Sequence, residues 1–94
     1  MRNPRNLVGP EVRRLRVARN FSQPQLAALL QRKGWDATRD TVARIEGQVR
    51  WVADFEMVFL AKVLGVPLQE LLSRRKLDET VLEFLARLER SGGE

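Results

Sequence analysis

The segment from Ser22 to Gly47, SQPQLAALLQRKGWDATRDTVARIEG, constrains this chain more than any other. Ser22, with Gln25 three residues on, has the spacing of a capping box, in which a hydroxyl and an amide satisfy backbone N–H groups that a helix leaves unpaired. Pro24 is tolerated in that first turn. Leu26, Ala27, Leu29 and Leu30 follow at helical spacing, and the small Ala27 lets another helix approach closely. Gln31–Ala37, with Gly34 and Trp35, reads as a turn, the helix running as far as Lys33. Thr38 then caps another helix, which ends at Gly47. Its inner side is Val42 and Ile45 alone, and its outer side is Arg39, Asp40, Ala43 and Arg44. One apolar stripe is enough to dock a helix on a core. The spacing therefore predicts two short helices joined by a turn, the second turned outward.

The flanking chain supplies more helices. Met1–Val8 has two Asn, Pro4 and two Arg and reads as a mobile arm, whose Arg2 and Arg5 are either solvated charges or reach phosphates. Pro10 and Glu11 suit the first turn of a helix. Val12 and Leu15 share its inner face with Ala18 or Arg19, Asn20 ends it, and Phe21 is buried. After a connection containing Arg50 and Trp51, Asp54 caps a helix with Phe55, Met57, Val58, Leu60, Ala61 and Leu64, more apolar surface than one face needs. Gly65 ends it. Pro67 opens a short helix with Leu68, Leu71 and Leu72 inward. Past the basic joint at 73–76, Leu77, Val81, Phe84, Leu85 and Leu88 form one more helical stripe. Trp35 and Trp51 are expected to cover the edge of the core rather than insert between bases, since insertion wedges kink DNA from the minor groove.

Ninety-four residues, 44% apolar, suffice for one small all-helical domain. Histidine and cysteine are both absent, which removes the commonest general base, the commonest metal ligands and any disulfide. With no convincing carboxylate pair, the chain is expected not to be an enzyme and to carry no catalytic residue, metal or cofactor. No apolar run has the roughly 18 residues of a membrane span, and nothing resembles a secretory leader, so a cytoplasmic protein with no membrane partner is the expectation. The net charge of +5 is uneven: residues 1–50 hold 11 Lys/Arg against 4 Asp/Glu, and residues 51–94 hold 6 against 8. A basic half that contains the outward helix is an electrostatic footprint for nucleic acid. The plainer reading of the same helix is a solvated charged face.

The order of these signals resembles the phage-repressor or Cro-like helix-turn-helix family, also called the XRE family. The residues that carry the likeness are Val12, Leu15 and Arg16; Phe21-Ser22-Gln23-Pro24-Gln25-Leu26-Ala27; Thr38-Arg39-Asp40-Thr41-Val42-Ala43-Arg44-Ile45-Glu46; and Leu60-Ala61, Leu64-Gly65-Val66-Pro67 and Glu70-Leu71-Leu72. The likeness covers residues 9–73. It implies an all-α fold, a five-helix lambda-repressor-like domain with an additional C-terminal amphipathic helix. It further implies binding of double-stranded DNA with Thr38–Glu46 in the major groove. Arg39, Asp40, Thr41 and Arg44 would face base edges, while Gln23, Lys33, Thr38, Gln48 and Arg50 would meet phosphates. Arg16 and Glu46 would form an internal ion pair. The turn between the two central helices is several residues longer than usual for the family, around Gln31–Asp36.

The stripe from Leu77 to Leu88 lies beyond that domain and must be covered, by its own domain or by a second chain. A homodimer through Leu77, Val81, Phe84, Leu85 and Leu88 is expected, matching the twofold sites on which such repressors act. The function expected is a sequence-specific transcriptional regulator, a repressor that occludes a promoter. The alternatives are an antitoxin whose C-terminal helix grips a toxin, and a helical protein-interaction module without DNA binding. Asp40 suits the last, because a carboxylate repels phosphate, yet it also suits DNA, because it can accept from cytosine N4.

Overall fold

A computed structural model describes residues 3–72 and 83–89. Every regular element among them is helical: α1 Gly9–Ala18, α2 Gln23–Arg32, α3 Arg39–Glu46, α4 Asp54–Leu64, a 3-10 turn Leu68–Leu71, and α5 at 83–89. Leu77 and Val81 of the expected C-terminal stripe lie outside the described residues.

The helix ends explain the boundaries. Ser22 Oγ accepts from Gln25 N at 3.1 Å, and Ser22 N donates to Gln25 Oε1 at 2.7 Å. Thr38 and Thr41 repeat this reciprocal pattern at the start of α3. At α4 the cap lies one residue before the expected Asp54: Ala53 N donates to Glu56 Oε1 at 3.0 Å. All of α1–α4 finish in the same way. A residue two or three past the helix donates back to a carbonyl in the last turn, and the residue before it donates to the next carbonyl along. Phe21 N reaches Arg16 O, Trp35 N reaches Leu30 O, Val49 N reaches Arg44 O, and Val66 N reaches Ala61 O. The pivot before each is left-handed: Asn20 (φ 60°), Gly34 (φ 107°), Gln48 (φ 59°) and Gly65 (φ 72°). At α3 the sequence offers Gly47 for this role, but Gly47 keeps a right-handed φ of −80° and Gln48 turns the corner.

The core sits between α1, α2, α3 and α4. Val8, Val12 and Leu15 meet Leu26, Ala27 and Leu30 from α2, Val42 and Ile45 from α3, and Leu60, Ala61 and Leu64 from α4; Leu71 closes one end. Fully burying each large side chain of this set contributes about 1.5–3 kcal/mol. α3 packs chiefly on α2 and α1, which leaves its far side open. On α1 the inner face stops at Leu15, because Ala18 and Arg19 are exposed. Phe21 is half-buried against the cluster rather than fully enclosed. Leu68 faces solvent, unlike its expected inward position, since a 3-10 turn of four residues can turn only part of its surface to the core.

Residues 5–8 are not a mobile arm. Val8 is buried, Arg5 N donates to Gln48 O at 2.9 Å, and the Asn6 amide donates to Ile45 O at 3.1 Å and to Arg50 O at 2.9 Å. The Asn6 Oδ1 accepts from Gly9 N at 2.8 Å, which ties the same residue to the start of α1.

Candidate nucleic-acid interface

The outward side of α3 follows from its inward one. Val42 and Ile45 are buried, so a helix of 3.6 residues per turn turns Asp40 and Arg44 away from the core, with Ala43 and Gly47 between and beside them. Arg39, Asp40 and Arg44 are all exposed. Asp40 Oδ2 accepts from Arg44 Nε at 2.8 Å, one helical turn apart. Arg39 has no ion-pair partner among the described residues. Thr41, which the family likeness also sets at base edges, is half-buried beside this face. Its hydroxyl accepts from Thr38 N at 3.1 Å, and Thr38 Oγ1 accepts from Thr41 N at 3.2 Å, so both hydroxyls take part in the cap.

At its other end α3 is held by a buried ion pair. Arg16 Nε donates to Glu46 Oε2 at 2.6 Å and Arg16 Nη2 to Glu46 Oε1 at 3.1 Å. Arg16 Nη1 donates to Phe21 O at 2.8 Å. Glu46 raises the Arg16 pKa further above its ordinary value through these hydrogen bonds, against the opposing effect of burial. The third partner is Gln23, whose Nε2 donates to Glu46 Oε1 at 3.1 Å. One donor of the amide that the likeness assigns to a phosphate is therefore turned inward, and a second N–H remains on the same nitrogen.

Two other expected phosphate ligands also have internal work. Gln48 Nε2 donates to Asn6 O at 3.0 Å. Arg50 donates from Nη1 to Glu56 Oε1 at 2.9 Å and to Trp51 O at 2.9 Å, and from Nη2 to Glu56 Oε2 at 3.2 Å. Its guanidinium carbon lies 5.8 Å from the Trp35 ring centroid, within the range of a cation–π contact. Trp35 in turn packs on Phe59 with ring centroids 6.2 Å apart. This explains the long turn after α2. The extra residues carry Trp35 across to α4, and Gln31 Nε2 fixes the turn by donating to Ala37 O at 2.5 Å. Lys33, by contrast, is exposed at the end of α2, beside the equally exposed Arg32.

Asn6, Gln31 and Glu56 are the positioning residues that the sequence reading missed. Asn6, three residues before Gly9 and followed by Pro10, has a recognisable capping signal. Glu56 completes a box whose first member, Ala53, has no side-chain oxygen to mark it. Gln31 leaves no sequence signal, because its partner is a backbone carbonyl.

Trp51 is 71% exposed and does not cover the core. It borders a cavity of about 350 Å³, lined also by Pro4, Arg5, Leu7, Phe84 and Arg87. Arg87 Nη1 donates to Asn3 Oδ1 across this space. Phe84, Leu85 and Leu88 of α5 are each about half exposed, and Phe55 and Val58 on α4 are exposed as well. Among the described residues no helix is long and apolar enough to cross a membrane. No protein family, curated protein or solved structure matches the chain.

Proposed function

We propose that the protein is a sequence-specific binder of double-stranded DNA, a transcriptional repressor of the phage-repressor-like helix-turn-helix kind, that lays α3 in the major groove. The observation that carries this reading is the division of labour on α3. Val42 and Ile45 anchor the helix, the Thr38–Thr41 box and the Arg16–Glu46 pair hold its two ends, and Arg39, Asp40 and Arg44 are left outside with no role in the core. A major groove admits such a helix, and the basic half of the chain is the half that contains it. Arg39, Lys33 and Arg32 are exposed cations without an ion-pair partner among the described residues and are available to meet phosphates; phosphate contacts set register while base contacts specify sequence. Repression would follow from occupying a promoter.

The test is binding to labelled random-sequence duplex DNA across a salt series, for the wild type and for a Lys33→Ala, Arg39→Ala double variant. Affinity should fall with salt at a logarithmic slope of about 0.9 per phosphate contacted, and the double variant should show a slope smaller by about two contacts. No binding by the wild type at low salt overturns the reading.

The apolar surface of α5 supports a second element of the proposal. Phe84, Leu85 and Leu88 are exposed on α5, and Phe84 lines the cavity that the exposed Trp51 borders. We assign the α5 surface to a second copy of the chain, which would set two α3 helices on one duplex. An antitoxin reading gives the same surface to a toxin, and a protein-interaction module would use it without DNA.

A further inference from the structure

Resting on the DNA-binding reading, we infer that Asp40 and Arg44 form one reading unit, in which Asp40 is a positioning residue that aims Arg44 at a guanine. A guanidinium presents five N–H donors in a rigid plane. Asp40 takes the donor on Arg44 Nε at 2.8 Å, which fixes the plane relative to the helix and leaves both terminal nitrogens free. Those two nitrogens present the two-pronged edge that matches guanine O6 and N7 in the major groove. Nothing bulky stands between the pair and a partner, because the neighbouring outward positions are Ala43 and Gly47. α3 itself is held at both ends, so the aim of the side chain is inherited from a fixed helix.

Charge decides between a base and a phosphate as the target. The Asp40 carboxylate cancels the Arg44 charge locally, so the pair has little net attraction for a phosphate. Its second oxygen would repel one. The guanine edge offers two directed acceptors and no net charge, which is what a neutral, oriented fork can use. Arg39, without an acidic partner among the described residues, is the complementary case and serves the backbone.

Three variants, compared with the wild type, test the pair. In selection from a random duplex pool, the wild type should enrich sites with one fixed guanine per half-site, preferred over the other bases by roughly tenfold or more. Arg44→Ala should lose that preference while its salt slope on random duplex stays unchanged. Asp40→Ala should weaken the preference yet bind random duplex more tightly, with a slope steeper by about one contact, because an unmasked Arg44 can then reach a phosphate. A residue that served only the fold would not raise non-specific affinity. Asp40→Asn, whose carbonyl can still accept from Nε, should restore part of the guanine preference. A fixed guanine that survives Arg44→Ala, or an Asp40→Ala variant that keeps full preference, overturns the inference while salt-dependent binding leaves the DNA reading standing. Absence of any wild-type binding in the salt series removes both.

Discussion

The Glu46 carboxylate, 5% exposed at the end of α3, receives both prongs of the Arg16 guanidinium from α1, 30 positions earlier in the chain, with Nε to Oε2 at 2.6 Å. The second prong is the 3.1 Å bond from Nη2, and Gln23 adds a third bond from the start of α2. Three helices thus converge on one carboxylate. Removing it leaves a guanidinium 13% exposed with only Phe21 O for company. Desolvation offsets much of what such a pair contributes when intact, but loss of one partner from a buried pair costs about 3–5 kcal/mol. Glu46→Ala should therefore lower the melting temperature by about 10 °C or more. Arg44→Ala, whose partner Asp40 is 72% exposed, should change it by no more than a few degrees. Equal melting temperatures for the two variants would show that the convergence on Glu46 does not hold α3.

Gly9 offers a test of how tightly α1 meets α3. A methyl group placed there would lie 2.3 Å from the Ile45 backbone oxygen and 3.1 Å from Asn6 Oδ1. Exchanging glycine for alanine within a helix usually stabilises it by up to about 1 kcal/mol. Here the close atom is backbone and cannot swing aside, so overpacking should win, at about 1–3 kcal/mol of destabilisation. Because Asn6 and Gln48 share the contact, Gly9→Ala should also raise amide hydrogen exchange at Arg5, whose N–H donates to Gln48 O. Unchanged or increased thermal stability would mean the helices part without cost.

The joint between α3 and α4 should fail on the acid side. Hydrogen bonds from Arg50, together with the Ala53 N–H, hold the Glu56 carboxyl below its ordinary pKa, although burial pulls it the other way. Its folded pKa is lower than its unfolded one, so the stability it contributes is full above the unfolded value, about 4.5, and is lost as pH falls through the folded value. The raised pKa of Arg50 acts only in strong alkali and leaves this window untouched. Melting temperatures measured from about pH 6 to pH 3 should fall less steeply for Glu56→Gln than for the wild type. Parallel curves would place the acid sensitivity elsewhere.

These three sites mark what a sequence can and cannot convey. The caps at Ser22 and Thr38, the narrow stripe of Val42 and Ile45, and the left-handed stops at Asn20 and Gly65 are local patterns, legible because a few neighbouring residues decide them. Leu26, Leu60 and Leu71 were legible as core for the same reason. Long-range commitments of polar side chains were not. Arg50 and Gln48 look like free donors in the sequence, and only the packing of Trp35 on Phe59 and the docking of Asn6 under α3 turn them inward. Thr41 is ambiguous in the sequence because one hydroxyl suits a cap and a base edge equally well; in the fold it accepts from the backbone N–H of Thr38. The left-handed residue after α3 is Gln48 rather than Gly47, and Gln48 is tied to Asn6 and Arg5 by bonds that no local pattern carries.

The apolar face of α5 carries the last prediction. Phe84 is 55% and Leu88 51% exposed, four positions apart on one side of the helix, so both can enter a single contact. Each would contribute about 1.5–3 kcal/mol if fully covered, and association costs must be subtracted from that gain. Two such side chains per copy, with Leu85 between them, reach micromolar association only if most of this face is covered at once. Phe84→Asp combined with Leu88→Asp buries two carboxylates in that contact and should abolish it. Sedimentation equilibrium at micromolar concentration should then give a dimer for the wild type and a monomer for the variant. The variant should retain its melting transition, because neither residue belongs to the core of α1–α4. On a duplex carrying two half-sites it should bind with affinity lower by tenfold or more and without cooperativity. A wild type that is monomeric at all these concentrations would leave α5 for a partner other than its own copy.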